Sequence, residues 1–164
     1  MAEKSRSRRR FLKNAAIGLV VAIVGFVVAG HFLPSQQLQG CFGIYLLGND
    51  KLVISDEDIV WYSRTTHEIR LTELGAEKIE GLHVSVYGSP FVVKIGGEEI
   101  YNGLFVTPLS SVGQPPSEAV IETVVQNNTI KIQMGYPPSQ FGAKDPRNNS
   151  KIFDYFQSIK KLIQ

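Results

Sequence analysis

His67 and His83 are the residues of the chain's polar part best suited to moving protons near neutral pH. They stand 16 positions apart, without His-x-x-x-His spacing, so they read as structural or exposed side chains rather than paired ligands. The other chemistry-bearing residues are equally scattered. Ser110 and Ser111 follow Pro108-Leu109 with no Gly-x-Ser-x-Gly setting, and read as turn residues. Gly96-Gly97-Glu98-Glu99 is too short to cradle a phosphate and lacks a Lys-Ser/Thr. Ser55-Asp56-Glu57-Asp58 gathers three carboxylates, but its Ser-x-x-Asp spacing is that of a capping box. Acids in a first helical turn meet the positive end of the helix dipole, so a short helix from Asp56 is predicted in place of a metal site. Asp145-Pro146-Arg147 is either a polar loop site or a simple turn initiator. The sequence assigns no catalytic, cofactor-binding or metal-ligating residue, and no cofactor is expected.

The bulk properties narrow the classes. The chain has 164 residues, 43% of them hydrophobic, enough for one domain plus an appendage. One cysteine excludes an internal disulfide and any multi-cysteine metal centre. The net charge of +2 is unevenly placed. Lys4, Arg6, Arg8, Arg9, Arg10 and Lys13 crowd the first 13 residues against Glu3 alone, and the remainder is net acidic. The basic excess is therefore local, and nucleic acid is not an expected partner.

That basic segment contains Ser7-Arg8-Arg9-Arg10-Phe11-Leu12-Lys13. It resembles the twin-arginine export signal, Ser/Thr-Arg-Arg-x-Phe-Leu-Lys, with Ser7, Arg8, Arg9, Phe11, Leu12 and Lys13 at the fixed positions. The resemblance implies export of an already folded domain through a receptor-read address. The alternative, a plain basic flank that keeps the N-terminus cytoplasmic under the positive-inside rule, also places the rest of the chain across the membrane.

An apolar run follows from Ala15 to Leu33, interrupted only by His31. As a helix it would reach about 28 Å at ~1.5 Å per residue, close to the ~30 Å hydrocarbon core of a bilayer. It is long for a cleaved signal, and Val27-Val28-Ala29 lies inside it, so a retained signal-anchor is expected. Ala15, Gly18, Ala22, Gly25 and Ala29 recur at spacings of three and four, forming one small-residue stripe. Such a stripe lets a second helix approach, from a partner or another copy of the chain, giving a homo-oligomer through the membrane helix. Leu38-Gln39-Gly40-Cys41 departs from a lipobox at Gln39, leaving Cys41 as a free thiol near the membrane surface. The expected organisation is a cytoplasmic basic region over 1–13, a signal-anchor over 14–33, a tether over 34–40 and an extracytoplasmic domain over 41–164.

Within that domain, Phe42–Leu47 and Lys51–Ile54 flank Gly48-Asn49-Asp50 as a hairpin. His67–Leu71 alternates as a strand, and Thr72 then caps a helix with Leu74 and Ile79 inward and Gly81 as its stop. Phe91–Ile95 and Glu98–Tyr101 flank Gly96-Gly97, a type I′ signature. Pro108 to Ser117 reads as loop. Ala119–Val125 and Thr129–Met134 make a further hairpin around Gln126-Asn127-Asn128. Tyr136 to Asn149 reads as loop, and Ile152, Phe153, Phe156, Ile159, Leu162 and Ile163 predict a closing amphipathic helix. The fold class is therefore α+β, a mostly antiparallel sheet with helices on one face, behind an N-terminal transmembrane helix. Asn127 and Asn148 each begin an Asn-x-Ser/Thr acceptor in a predicted loop, so both are candidates for glycosylation after export.

Asp58-Ile59, His67 to Ile79 and Phe91 to Tyr101 also resemble the first periplasmic domain of SecD/SecF translocase accessory proteins. In that family a strand enters a Leu-Thr-x-x-Gly-Ala helix, and a strand–Gly turn–strand follows. The resemblance implies an α+β fold; the family's multi-span membrane portion has no counterpart here, so its transport activity is not implied. The whole chain resembles single-pass archaeal surface proteins. The expectation is a single-pass cell-membrane protein whose outer domain binds a protein or envelope component. A small cell-surface hydrolase or ligand-binding protein, and an accessory of protein export, are the alternatives. A cavity lined by His67, His83 or acidic residues would favour the ligand-binding class; a flat surface, the first. Exposed aromatics among Trp61, Tyr62, Tyr101, Phe105, Tyr136 and Phe141 would mark a contact patch.

Overall fold

The computed structural model describes residues 41–110, 113–138 and 145–164. The targeting residues 7–13, the apolar run with its Ala15–Ala29 stripe, the tether and Phe141 lie outside the described residues. Among the described residues no helix is long and apolar enough to cross a membrane.

The chain forms strands β1 (Phe42–Leu46), β2 (Lys51–Ser55), β3 (Ile59–Ser63) and β4 (Glu68–Leu71), the last from the segment whose alternation predicts a strand. Helix α1 (Glu73–Glu80) follows, then β5 (Ser89–Ile95), β6 (Glu98–Val106), β7 (Gln114–Glu122) and β8 (Thr129–Tyr136). The described chain ends with α2 (Ser150–Ser158) and β9 (Leu162–Ile163). Short 3₁₀ turns occupy Asp56–Asp58 and Pro146–Asn148. The strands form one curled sheet in the order β2-β1-β5-β6-β7-β8-β4-β3-β9, so the fold is mixed α+β and mostly sheet. Neighbours run antiparallel except β6 beside β7 and β3 beside β9.

The order explains the curl. β2 is one edge of the sheet and β3 is next to the other, yet only Asp56–Asp58 connects them. A three-residue link forces the two ends of the sheet together, and α1 packs against β2 and β4 across the seam. Asp58 fastens it. Its carboxylate accepts from the Ser55 N–H at 2.9 Å, the Ser55 hydroxyl at 3.0 Å and the Lys78 ammonium at 2.7 Å. Its carbonyl oxygen accepts from the Thr72 N–H at 2.8 Å. A Cβ at Gly75 would stand 2.8 Å from that same oxygen, so only glycine lets α1 approach so closely.

Turn chemistry matches the sequence in two hairpins. Gly96 and Gly97 have φ of 59° and 84°, and Asn127 and Asn128 of 50° and 52°, which places both pairs in the left-handed region that type I′ turns require. Thr72 caps α1 by accepting from the Gly75 N–H at 3.1 Å, and Gly81 ends it.

Four expectations are corrected. The capping box at Ser55 yields only a 3₁₀ turn, because Ile59-Val60-Trp61 is β-branched and aromatic and continues as β3. Leu74 is 68% exposed, and α1 instead buries Gly75, Ala76 and Ile79. The segment expected as loop to Ser117 already belongs to β7 from Gln114, although it bulges away from β8 between Gln114 and Ala119. The closing helix stops at Ser158, Lys160 takes a φ of 59°, and Leu162-Ile163 pair in parallel with Tyr62-Ser63.

Both helices send side chains into one core. Ile79 from α1 and Ile152, Phe153 and Phe156 from α2 meet Phe42, Ile44, Tyr62, Phe91 and Phe105 from the strands. Tyr62 stacks on Phe156 with centroids 4.9 Å apart, and Phe42 lies 4.8 Å from the same ring. Each such side chain contributes about 2–3 kcal/mol on burial.

Candidate functional site

The tight β3–β4 connection creates an unusual histidine. His67 donates its N–H to the Ser63 carbonyl at 3.0 Å, and its own φ of 55° places it in the left-handed region. Its carbonyl accepts from the Ile132 N–H of β8 at 3.0 Å. These bonds turn the ring back over β3, where it is 5% exposed. Nδ1 then meets the Tyr62 hydroxyl at 2.8 Å. Tyr62 is fully buried, and burial pushes its ionisation well above the ordinary tyrosine range. The hydroxyl therefore keeps its proton. A buried hydroxyl needs an acceptor, and His67 Nδ1 is the one it meets among the described residues. Hydrogen-bond bookkeeping thus assigns the imidazole proton to Nε2, on the opposite side of the ring.

The turn before α2 supplies the second half. Asp145 caps the 3₁₀ turn Pro146–Asn148 by accepting from the Arg147 N–H at 2.9 Å. The Arg147 guanidinium returns to the same carboxylate, with Nε at 2.9 Å from Oδ1 and Nη2 at 2.6 Å from Oδ2. Its Nη1 donates to the Ile132 carbonyl at 2.7 Å, anchoring the fork to β8. Asp145 Oδ2 lies 3.9 Å from His67 Nε2, beyond hydrogen-bonding distance.

Charge at the site follows from this packing. Burial, assisted by the Arg147 charge, depresses the His67 pKa from 6.5 to about 4 and leaves the imidazole neutral at pH 7. Burial alone would raise the Asp145 carboxyl, but its hydrogen bonds to Arg147 and that residue's charge hold it below the usual carboxylate range. Tyr101 is buried as well, and burial raises its ionisation far above normal.

Above this cluster opens a cavity of about 500 Å³, bordered by Thr65, Thr66, His67, Lys131, Gln133 and Arg147, with Met134 and Pro138 as its apolar wall. Its size falls in the range of small-ligand sites. Lys131 stands at the mouth with its side chain 52% exposed, 3.8 Å from Glu68.

The structure brings His67 together with Asp145 and Arg147, and separates His83, which is exposed and bonds the Gly81 carbonyl at 3.2 Å. Ser110 bonds the Thr107 N–H through its hydroxyl at 3.0 Å, as a turn residue does. Asp58 serves the seam, and the Asp56 carboxylate accepts from the Tyr155 hydroxyl of α2. Among the described residues no group of three His, Cys, Asp or Glu has metal-binding geometry. Cys41 is an exposed free thiol. Asn127 is exposed at the tip of the β7–β8 hairpin, where its carbonyl accepts from Arg70, and Asn148 is exposed in the 3₁₀ turn. Of the aromatics, Tyr62, Tyr101 and Phe105 are core, and Trp61 and Tyr136 are half-buried, so they make no exposed patch. The His67–Asp145 juxtaposition escaped sequence reasoning. Its only trace was the Asp-Pro-Arg triplet, whose local pair lies far along the chain from the histidine.

Comparison with protein family models, curated proteins and solved structures finds no match to this chain.

Proposed function

We propose that the chain is a single-pass, membrane-tethered binding module whose outer domain recognises a ligand or envelope component at the cavity over His67. The observation that carries the recognition half is that cavity, in which a neutral, buried histidine and two cationic side chains face one opening. Binding is favoured over proton-transfer catalysis because Asp145 is committed to Arg147 and stands too far from His67 to orient or charge it. The tethering half rests on the sequence: the Ser7–Lys13 motif and the apolar run after it. In this reading the basic tip stays in the cytoplasm and the apolar run is a retained anchor. The Gly18 and Gly25 stripe offers a face for a second helix.

Cell fractionation with protease treatment of intact spheroplasts tests the tether. The full chain is expected in the membrane fraction, with residues 41–164 degraded from outside. Replacing Arg8 and Arg9 together by Lys is expected to leave the precursor undelivered. Recovery of the unaltered chain as a soluble cytosolic species overturns the tethered reading.

A further inference from the structure

Among the described residues, the cavity over His67 is lined by the cations Lys131 and Arg147, by groups that both donate and accept on Thr65, Thr66 and Gln133, and by no carboxylate. Because Nδ1 is occupied by the Tyr62 hydroxyl, Nε2–H is the free face of the ring, and among the described residues it has no hydrogen-bond partner. The ring is more than nine-tenths buried and borders the cavity, with Nε2 3.9 Å from Asp145 Oδ2. The Arg147 guanidinium is held rigid by Asp145 and the Ile132 carbonyl, and its fork is 15% exposed at the same wall. Lys131 adds an ammonium at the mouth, and Thr65, Thr66 and Gln133 add hydroxyl and amide groups.

We infer that this cavity is an oxyanion subsite, taking the carboxylate or phosphate group of a small ligand between His67 Nε2–H, Arg147 and Lys131. The facing acids do not compete for those donors in the same way. Both Asp145 oxygens are turned onto Arg147, and Glu68 meets Lys131 only at 3.8 Å from outside the lining. The four charges Lys131, Glu68, Arg147 and Asp145 sum to zero, so the selection comes from fixed donor geometry rather than net attraction. Affinity is accordingly expected near the millimolar range for a bare anion. The inference deepens the binding half of the proposed function and needs neither the export motif nor the span.

The test is a titration of the full-length, isotope-labelled chain in detergent micelles, following the His67 imidazole and Arg147 side-chain resonances by NMR. Acetate and inorganic phosphate are added at constant ionic strength, with chloride as the control anion and His83 as the internal reference. A saturable shift at His67 with either oxyanion, absent with chloride, is expected. The stronger of the two tells a carboxylate ligand from a phosphate one. Lys131→Gln, at an exposed position, is expected to weaken the response about three- to fivefold. His67→Asn, which keeps an acceptor for Tyr62 but removes the outward donor, is expected to abolish it at Arg147. If neither oxyanion moves His67 more than chloride does, the subsite is refuted, while the fractionation result stands independently. If Lys131→Gln titrates like the unaltered chain, the ammonium has no part in the site and the assignment fails as stated.

Discussion

Replacing His67 by Asn isolates the energetic consequence of burying a neutral imidazole. Asn tolerates the left-handed backbone that His67 adopts at φ 55°, and its side-chain oxygen can accept from the Tyr62 hydroxyl in place of Nδ1. In the unfolded chain the imidazole protonates near 6.5, whereas the folded environment delays this to about 4. Between those values the unfolded state binds the extra proton, so falling pH favours unfolding. Stability is therefore greatest above 6.5, declines through the window, and has lost this contribution below about 4. The full difference amounts to about 3 kcal/mol. The Asp58 and Asp145 carboxyls, both held below the ordinary range, weaken the fold only at lower pH and do not blur the window. The assay is urea unfolding followed by Trp61 fluorescence, the chain's single tryptophan, at intervals from pH 7.5 to about 4. At pH 7 the variant is expected to lose about 1–2 kcal/mol through poorer packing and weaker bonding. Its profile between pH 6.5 and 4 is expected to be flatter, so that the two proteins cross between about pH 6 and 5 and the variant is the more stable at pH 4. Parallel profiles would refute the reasoning, since another group would then be responsible for the slope.

Ile79→Ala is expected to cost about 3 kcal/mol in the same unfolding assay, and Leu74→Ala less than about 0.5, because only the first side chain is buried. Gly103→Ala would set a Cβ 2.4 Å from both the Ala119 carbonyl oxygen and the Phe91 ring, and is expected to destabilise by about 2 kcal/mol or more. Asp58→Ala is expected to cost about 2–3 kcal/mol by orphaning the Ser55 and Lys78 donors at the seam, whereas Lys78→Met, at a half-exposed ammonium, costs about 1 or less. Because Asp58 titrates below the ordinary range, its contribution is present above about 4 and is lost as pH falls through its folded value, so the penalty of Asp58→Ala shrinks in acid.

What the sequence disclosed was local. The Thr72 cap, the Gly81 stop and the Gly96-Gly97 and Asn127-Asn128 turns depend on backbone preferences of the residues themselves, and they formed where expected. Leu74 failed for a geometric reason: five positions from Ile79, it is turned about 140° around the helix, so both cannot face the core. Ala76, three positions from Ile79, takes the inward place. At the C-terminal end the apolar spacing was genuine, but β3 offered an unpaired edge, and that distant partner converted Leu162-Ile163 from helix to strand. The candidate site was legible only as fragments. His67 and Asp145-Pro146-Arg147 each carried a local reading, and nothing in their spacing revealed that β4, β8 and the turn before α2 converge.

The strand order has a consequence for how the polypeptide could be divided. Leu109, 81% exposed between β6 and β7, marks a natural place to nick the backbone. The two fragments would not be separate halves, because β7 and β8 lie between β6 and β4, and β9 borders β3. Each piece would supply strands that the other needs as neighbours on two sides. Cleavage there should leave an interlocked complex that survives until denaturant is added, and separately produced pieces should reassemble as a split protein.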